Sequence, residues 1–442
     1  MKRPIRILLI VVVFACALGV RAFASEYDSA AGELKTLGLF QGTNDGFELD
    51  RAPTRTEAAV MLVRLLGSES QAKAQYAEGA ASCPFTDMPD WAKPYVSWLY
   101  ENDLVKGVSD TVFGASGQCT AKMYCTFVLR ALGYSDSEGD FTFDQAVDLA
   151  EYIGVCDADM AEGTFLRDYA VAISYRALAA SLNGTETSLL EKLVAEGAVQ
   201  GESADVLLDK VKNYRAYRDA YEKSSGLYAA STVTTGSARL SNTKTAASYT
   251  MSEQSSYKYI ISDYDFQMEY IGNYSEGNET YTACAWIKDG YYYRSDDSSK
   301  SKQPLTDSLM DSMFSGDTPV RMPALYDVKS VEVSKTLSGA QYILTYADDY
   351  DYLSYSNDYW NLGLDRSAIM NLLVGKCTLT AVVGGNGLIS SFKSDFSCAF
   401  LYDSGDRILP LILTDTSEDV VNATGSGVYI SFPDFSGFTE LS

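Results

Sequence analysis

The chain reads as a multidomain protein, an all-α module of repeated helical units followed by an antiparallel β-rich α+β domain. Three observations predict that division. Residues 54–67 align without a gap to residues 120–133, with a weaker third copy at 166–179, so the first half is an internal repeat. From Ser224 onward the composition turns to Ser, Thr, Tyr and Asp with alternating apolar residues, the period of strands. A length of 442 residues is enough for two to four domains, each with its own core.

Residues 1–24 read as a secretory signal. Lys2, Arg3 and Arg6 form a basic start, an apolar stretch runs from Ile7 to Ala15, and Ala22-Phe23-Ala24 supplies a small-x-small step before Ser25. The alternative is an uncleaved anchor, but the apolar run is short for a full span and Arg21 interrupts its end. Cys16 resembles a lipoprotein acylation site, although the bulky Phe14 and the apolar residues after Cys16 do not suit one. No later stretch is apolar enough to cross a bilayer, so no transmembrane segment is expected after cleavage. The removed piece carries basic residues and no acid, which leaves a mature chain more acidic than the −24 of the whole.

Each repeat copy has the mostly apolar body of a buried helix, and Gly67 and Gly133 stand where a C-terminal cap belongs. A shorter helix and a loop precede each copy. Residues 34–42 match 99–107 in apolar spacing and final glycine, and 149–155 is the corresponding third piece. One such unit cannot cover its own apolar faces, so three are expected to share a core over about 26–70, 84–134 and 141–182. Asn183-Gly184-Thr185 breaks the pattern, and helical spacing over 187–199 and 202–221 predicts a connector across 183–224.

Beyond it, residues 225–442 are expected to form the β-rich domain. Strands are predicted at 328–333, 341–346 and 378–383. Gly384-Gly385-Asn386-Gly387 should turn the last of these into a long strand over 388–400. Further strands are expected at 408–413 and 428–432, with short helices at 306–313 and 364–373. On the long strand Leu388, Ser390, Phe392, Ser394 and Phe396 share the face expected to point inward. Ile389, Ser391, Lys393, Asp395 and Ser397 share the other.

What is missing narrows the chemistry. Without histidine there is no Ser–His–Asp triad, no Cys–His dyad and no H-E-x-x-H zinc helix. A balance of 35 Lys+Arg against 59 Asp+Glu opposes nucleic acid and anionic membrane as partners. The mature chain keeps Cys83, Cys119, Cys125, Cys156, Cys284, Cys377 and Cys398, an odd set with no C-x-x-C spacing, so no metal site is expected. Cys125 reads as a small buried thiol, while Cys377 and Cys398 flank the hairpin and are candidates to pair. Gly425-Ser426-Gly427 lacks the third glycine of a nucleotide fingerprint and reads as a turn, so no cofactor is expected.

Phe85-Thr86-Asp87 with Trp91-Ala92, the leucine-bearing helix ending in Gly107, and Thr54-Arg55-Thr56-Glu57 opening a helix together carry a resemblance. In their order they resemble S-layer homology (SLH) repeats, and Thr54–Glu57 is close to that family's Thr-Arg-Ala-Glu signature. The resemblance covers a little over a third of the chain. It implies a three-lobed helical domain that holds a secreted protein on a Gram-positive-type cell wall by binding a pyruvylated secondary wall polysaccharide.

The residues also have local roles of their own. Thr54 and Glu57 form a capping box that needs no ligand. Arg55, beside a helix N-terminus, suits a carboxylate such as a pyruvyl ketal, and read from the residues alone it is equally a solvated or ion-paired arginine. The later copies depart from the signature. Ala121 and Met123 replace its arginine and glutamate, with Lys122 leaning into the same space, and the third copy keeps Arg167 but has Tyr169 for the glutamate. The expected ligand set is therefore Arg55 first, then Arg167 and Lys122. Asp87 and Trp91 join it by resemblance, with helix capping and core packing as their structural alternative.

In the second half the leading helix of residues 202–221, the motif Ile287-Lys288-Asp289-Gly290-Tyr291-Tyr292-Tyr293, the Gly387-Leu388-Ile389 hairpin and the closing Ile430-Ser431-Phe432-Pro433-Asp434-Phe435 resemble the half-barrel of LolA-like lipoprotein carriers. That resemblance implies a concave apolar face for an apolar ligand or a protein partner. A packed sheet-on-helix core is the alternative. Asp348-Asp349-Tyr350-Asp351-Tyr352, with Asp358-Tyr359-Trp360, mixes carboxylates and aromatics as sugar or calcium sites do, but lacks an EF-hand's glycine and final glutamate. The sequence therefore predicts a secreted, non-catalytic wall protein with no catalytic residues. Its rivals are a wall-anchored glycoside hydrolase using an Asp/Glu pair, and a structural surface-layer component.

Overall fold

The computed structural model describes residues 25, 27–262, 265–314, 321–348 and 350–441. The expected signal peptide and Cys16 lie outside them. The chain divides into two compact units, residues 1–200 and 201–442.

In the first unit, Thr54 opens α2 (Arg55–Leu65), Thr120 opens α5 (Ala121–Ala131) and Leu166 opens α7 (Arg167–Ala177). These three helices are buried along most of their length and pack against one another, which accounts for their apolar bodies. A shorter helix backs each of them. They are α1 (Asp28–Thr36) on α7, α4 (Lys93–Glu101) on α2, and α6 (Ala146–Tyr152) on α5. The helix α3 (Glu69–Ala77) packs on α4. Gly67 caps α2 with φ +62°, and a Cβ there would meet the Ala198 side chain at 2.7 Å. Only glycine meets both demands.

The segment expected as a connector is split between the units. Helix α8 (Leu189–Ala195), started by a Ser188/Glu191 capping box, belongs to the first. Helix α9 (Glu202–Ser225) belongs to the second.

The second unit is one 12-stranded sheet. In chain order its strands are β1 (Ala229–Asn242), β2 (Ser248–Ser262), β3 (Asp265–Glu276), β4 (Glu279–Lys288), β5 (Tyr291–Asp296) and β6 (Lys300–Pro304). Then come β7 (Val328–Thr336), β8 (Gly339–Tyr346), β9 (Ile369–Gly384), β10 (Ile389–Asp403), β11 (Ile408–Thr424) and β12 (Thr439–Glu440). The spatial order is β12-β6-β5-β4-β3-β2-β1-β11-β10-β9-β8-β7. Neighbours run antiparallel except β12, which lies parallel on β6. Helix α10 (Asp307–Phe314) follows β6, and α11 (Tyr352–Tyr359) lies on the sheet between β8 and β9 in sequence.

The Gly384–Gly387 turn joins β9 to β10 as expected, with Gly387 at φ +76°. Helix α9 docks there. Lys223 Nζ donates to Asn386 O at 2.7 Å, and the Ile389 amide donates to Ser224 Oγ at 2.8 Å.

Three expectations are corrected. The helix predicted at 364–373 is instead α11, started by Asp351, which accepts from the Ser354 amide at 3.2 Å, while Ile369 already begins β9. Residues 428–432 form no strand. Their alternation is real, since Val428 and Ile430 are buried and Tyr429 is exposed, but packing satisfies it without a pairing partner. On β10 the inward set holds from Phe392 onward. A register shift between Ile389 and Ser391 reverses the start, burying Ile389 and exposing Ser390.

The inner face also differs from the apolar surface expected. Ser394 and Phe396 are buried there, but so are Glu253, Asp415 and Asp419. Helix α11 and the segment at Arg321 satisfy these acids. Tyr359 Oη donates to Glu253 at 2.6 Å, Ser356 Oγ to Asp415 at 2.7 Å, and Arg321 to Asp419 at 2.6 Å. Trp360, next to α11, seats its ring on Gly236 of β1, where a Cβ would stand 3.2 Å from the indole. The cavity left beneath holds about 60 Å³, lined in part by Thr234, Arg321, Tyr355 and Phe392. An acyl chain does not fit in that space.

Of the acidic run, Asp348 pairs with Lys329 at 3.0 Å and Asp351 with Arg366 at 2.6 Å. Tyr350 stacks on Tyr346, and Tyr352 on Phe396. These are surface ion pairs over packed aromatics, while Asp349 lies outside the described residues. Cys377 and Cys398 are free thiols, since the β9–β10 register sets Phe396 rather than Cys398 opposite Cys377.

Candidate functional site

The N-termini of α2 and α7 each rest on a loop contributed by another part of the unit. At α2 the Arg55 amide donates to Gly117 O at 2.8 Å, and Thr56 Oγ1 donates to Ala115 O at 2.9 Å. At α7 the Arg167 amide donates to Arg51 O at 2.9 Å and the Asp168 amide to Leu49 O at 3.1 Å. The two arginines expected to bind ligand therefore sit in corresponding clefts between a helix start and a loop.

The capping box at Thr54 is formed in both directions, with Thr54 Oγ1 accepting from the Glu57 amide at 3.2 Å and the Thr54 amide donating to Glu57 at 2.8 Å. Arg51 adds an ion pair to Glu57 at 2.6 Å. Burial opposes the charge on Glu57, but the Arg51 and Thr54 bonds outweigh it and hold its pKa at about 2.

Arg55 is only 8% exposed. Its guanidinium lies between the rings of Phe113 and Phe127, at 4.9 and 5.0 Å, and donates through Nη2 to Lys106 O at 2.8 Å. Nε has no partner, and desolvation lowers the pKa of the group. Asp87 does not reach toward a ligand. Its carboxylate accepts from the amides of Phe113, Gly114 and Ala115 at 2.7 to 2.8 Å and so fixes the loop that Arg55 lies against. Burial works against that carboxylate, and the three amides hold its pKa below the usual range.

Trp91 is 55% exposed on the short turn Asp90–Ala92, so core packing is not its role. Among the described residues no hydrogen bond or ring contact joins it to Arg55. Lys122 pairs with Asp144 at 2.8 Å and lies over the Phe143 ring.

Arg167 is at least as deeply buried, at 4% exposed. Its Nε donates to Phe47 O at 3.1 Å, and its guanidinium lies 5.6 Å from the Phe40 ring centre. Desolvation, then the nearby Arg51, lowers its pKa. Beside it is a groove of about 550 Å³ lined by Lys35, Gly38, Phe40, Gln41, Gly42, Thr43, Gly46 and Phe47. Lys35 Nζ stands 5.5 Å above the Phe47 ring. The tight loop needs Gly42, because a Cβ there would strike Gly46 O at 2.4 Å. Gly107 meets the same demand against Ser109 O at 2.3 Å, so the shared final glycine of 34–42 and 99–107 is one turn built twice. Sequence reasoning missed Lys35, Phe40 and Phe47 as groove residues. The signal was present in that glycine, which turns the aromatics on either side of it into one wall.

The S-layer homology domain family matches residues 84–120, and with the relatives that follow this marks a secreted, cell-surface-attached protein carrying such a domain. The chain is 33% identical over 117 residues to a "Middle cell wall protein" of Brevibacillus brevis, a stretch covering 26% of this chain and 11% of that protein. It is 36% identical over 108 residues to a "Surface layer protein" of Brevibacillus choshinensis, covering 24% and 9%. With a "Cell surface protein" of Thermoanaerobacter kivui it shares 30% identity over 120 residues, covering 26% and 15%. The matches thus span a small part of each relative. A solved DUF1329 family protein from Desulfovibrio piger aligns at 8% identity and TM-score 0.19, covering 50% of this chain and 95% of that one. Among the described residues no helix is long and apolar enough to cross a membrane.

Proposed function

We propose that residues 25–182 are three degenerate S-layer homology repeats that hold this secreted protein to a pyruvylated secondary wall polysaccharide, and that residues 225–442 are a non-catalytic β-rich binding domain. The observation that carries the reading is the groove whose wall residues Phe40 and Phe47 are contacted by Arg167. Two cations, Arg167 and Lys35, stand over two aromatic rings at the start of a buried helix, an arrangement suited to a carboxylate-bearing sugar. Arg55 occupies the corresponding cleft, but its guanidinium is enclosed by Phe113 and Phe127 and already bonded to Lys106 O. We therefore rank Arg167 ahead of Arg55, the reverse of the order expected from the signature. Lys122, half-buried and paired with the exposed Asp144, ranks last. Asp87 supports the cleft by holding its loop.

The C-terminal unit is read as half-barrel-like by resemblance only, and its inner face is closed by α11. A fatty-acid probe is accordingly expected to show no saturable binding to the full chain, and saturable binding would restore the carrier reading.

Three variants of the full chain test the wall site on purified polysaccharide. Truncating an arginine paired with a partly desolvated carboxylate costs on the order of a hundredfold in affinity, which is the expected loss for Arg167→Ala. Lys122→Ala should change affinity by less than about threefold, as for other exposed ion pairs. A larger loss for Arg55→Ala than for Arg167→Ala would return the site to Arg55.

A further inference from the structure

One face of β4–β6 carries a seat that a later segment of the chain fills. Trp286, Tyr293 and Lys302 stand directly across from one another on the three strands. Lys288, Tyr291 and Lys300 lie two residues along from them and so share that face. Residues 428–441 form a strap over this seat. Phe435 stacks on Tyr293 at 3.8 Å, and Phe435 and Phe438 meet the edge of Trp286 at 5.9 and 6.1 Å. Lys288 lies over the Phe432 ring at 4.9 Å and Lys300 over the Phe438 ring at 5.8 Å. The strap then adds β12 to β6, with Glu440 in register with Lys302 and the Leu441 amide donating to Lys302 O at 2.9 Å. Aromatics at every third position, Phe432, Phe435 and Phe438, thus meet a matching set of rings and lysines.

We infer that this seat is an interaction surface between two copies of the chain, in which the strap of each copy fills the seat of the other. Charge selects that partner. The β6 strand of a second copy is a poor neighbour for β6, because an antiparallel meeting would set Lys300 and Lys302 against the same two lysines. A second copy's strap instead brings Glu440 to Lys302 and three phenylalanines to the rings.

A hinge makes the exchange possible. The strap leaves β11 through the one-turn helix Gly425–Gly427, closed by the Val428 amide donating to Gly425 O at 3.1 Å, with Gly425 at φ +58°. Rotating that turn redirects the strap without changing any contact that it makes in a seat. Since the contacts are the same within one copy and between two, the balance is set by how concentrated the copies are. A surface-attached protein holds its copies close together, which favours the exchanged pair.

Unlabelled and heavy-isotope-labelled full-length protein, mixed in equal amounts in urea and refolded together at high concentration, tests the exchange. Carbodiimide coupling joins Lys302 to Glu440, and the joined peptides are read by mass. Random exchange predicts that about half of the joined pairs carry one peptide of each label, and that light scattering gives twice the chain mass. Pairs of like label only, no joined pair, or a single-chain mass at every concentration would each overturn the inference. Phe435→Asp, checked for folding by circular dichroism, should remain a single chain and give no mixed pairs. Mixed pairs at the wild-type level in that variant would overturn the inference as well.

Discussion

Arg55 and Arg167 are both nearly buried, and what separates them is the space beside each guanidinium. Local chemistry around them was legible. Thr54 and Glu57 formed the expected box because its partners lie three residues apart, and replacing Thr54 with Ala should cost about 1 kcal/mol in a urea melt, the usual worth of such a cap. Asp87 was not legible. Its acceptor role depends on amides at residues 113–115, which only the fold brings near. Glu57 also makes a pH prediction. Its folded pKa of about 2 lies below the ordinary 4.5, so its contribution is complete above pH 4.5 and is lost as pH falls toward 2. Glu69, opposed by burial but bonded by Lys73, Arg64 and Tyr95, is held at about 2 as well and acts in the same direction. Acid titration followed by circular dichroism should show the first unit weakening across that window. Glu57→Gln should show a shallower dependence, and an unchanged one would remove Glu57 from the account.

At the scale of elements, Gly236 of β1 seats the ring of Trp360, the residue that ends α11. A Cβ there already stands 3.2 Å from the Trp360 ring, so Gly236→Val should overpack the seat and destabilise the second unit by about 1–3 kcal/mol. A chemical denaturation midpoint left unchanged would mean that α11 is not held there. The period of two along β9 and β10 was readable because it depends only on neighbours in sequence. The reversed start of β10 was not, since a register shift is decided by the partner strand. The same limit explains residues 428–432, whose alternation is that of a strand but whose backbone finds no partner. It explains the misplaced helix too. Tyr352–Tyr359 buries Tyr352, Leu353 and Ser356 on one face, but that face is largely polar and aromatic, and its partners, the acids of the inner face, lie on distant strands.

For the molecule as a whole, the repeat in the first half and the composition change near residue 224 were enough to divide the chain. The boundary between the compact units at residue 200 was hidden because α8 and α9 have similar helical spacing but pack into different units. Each unit has its own core, so urea unfolding should resolve two transitions, and a single one shared by all probes would show the units to be coupled. The charge of −24 makes diffuse attraction to an acidic glycan unfavourable, so the proposed recognition rests on local cations, Arg167 and Lys35. That is the central claim, and calorimetric titration of the full-length chain tests it most directly, using purified wall polysaccharide before and after chemical removal of pyruvate. The account predicts saturable binding to the native glycan and a loss on the order of a hundredfold after removal, as for a lost arginine–carboxylate pair. Equal affinity for the two glycans would contradict it.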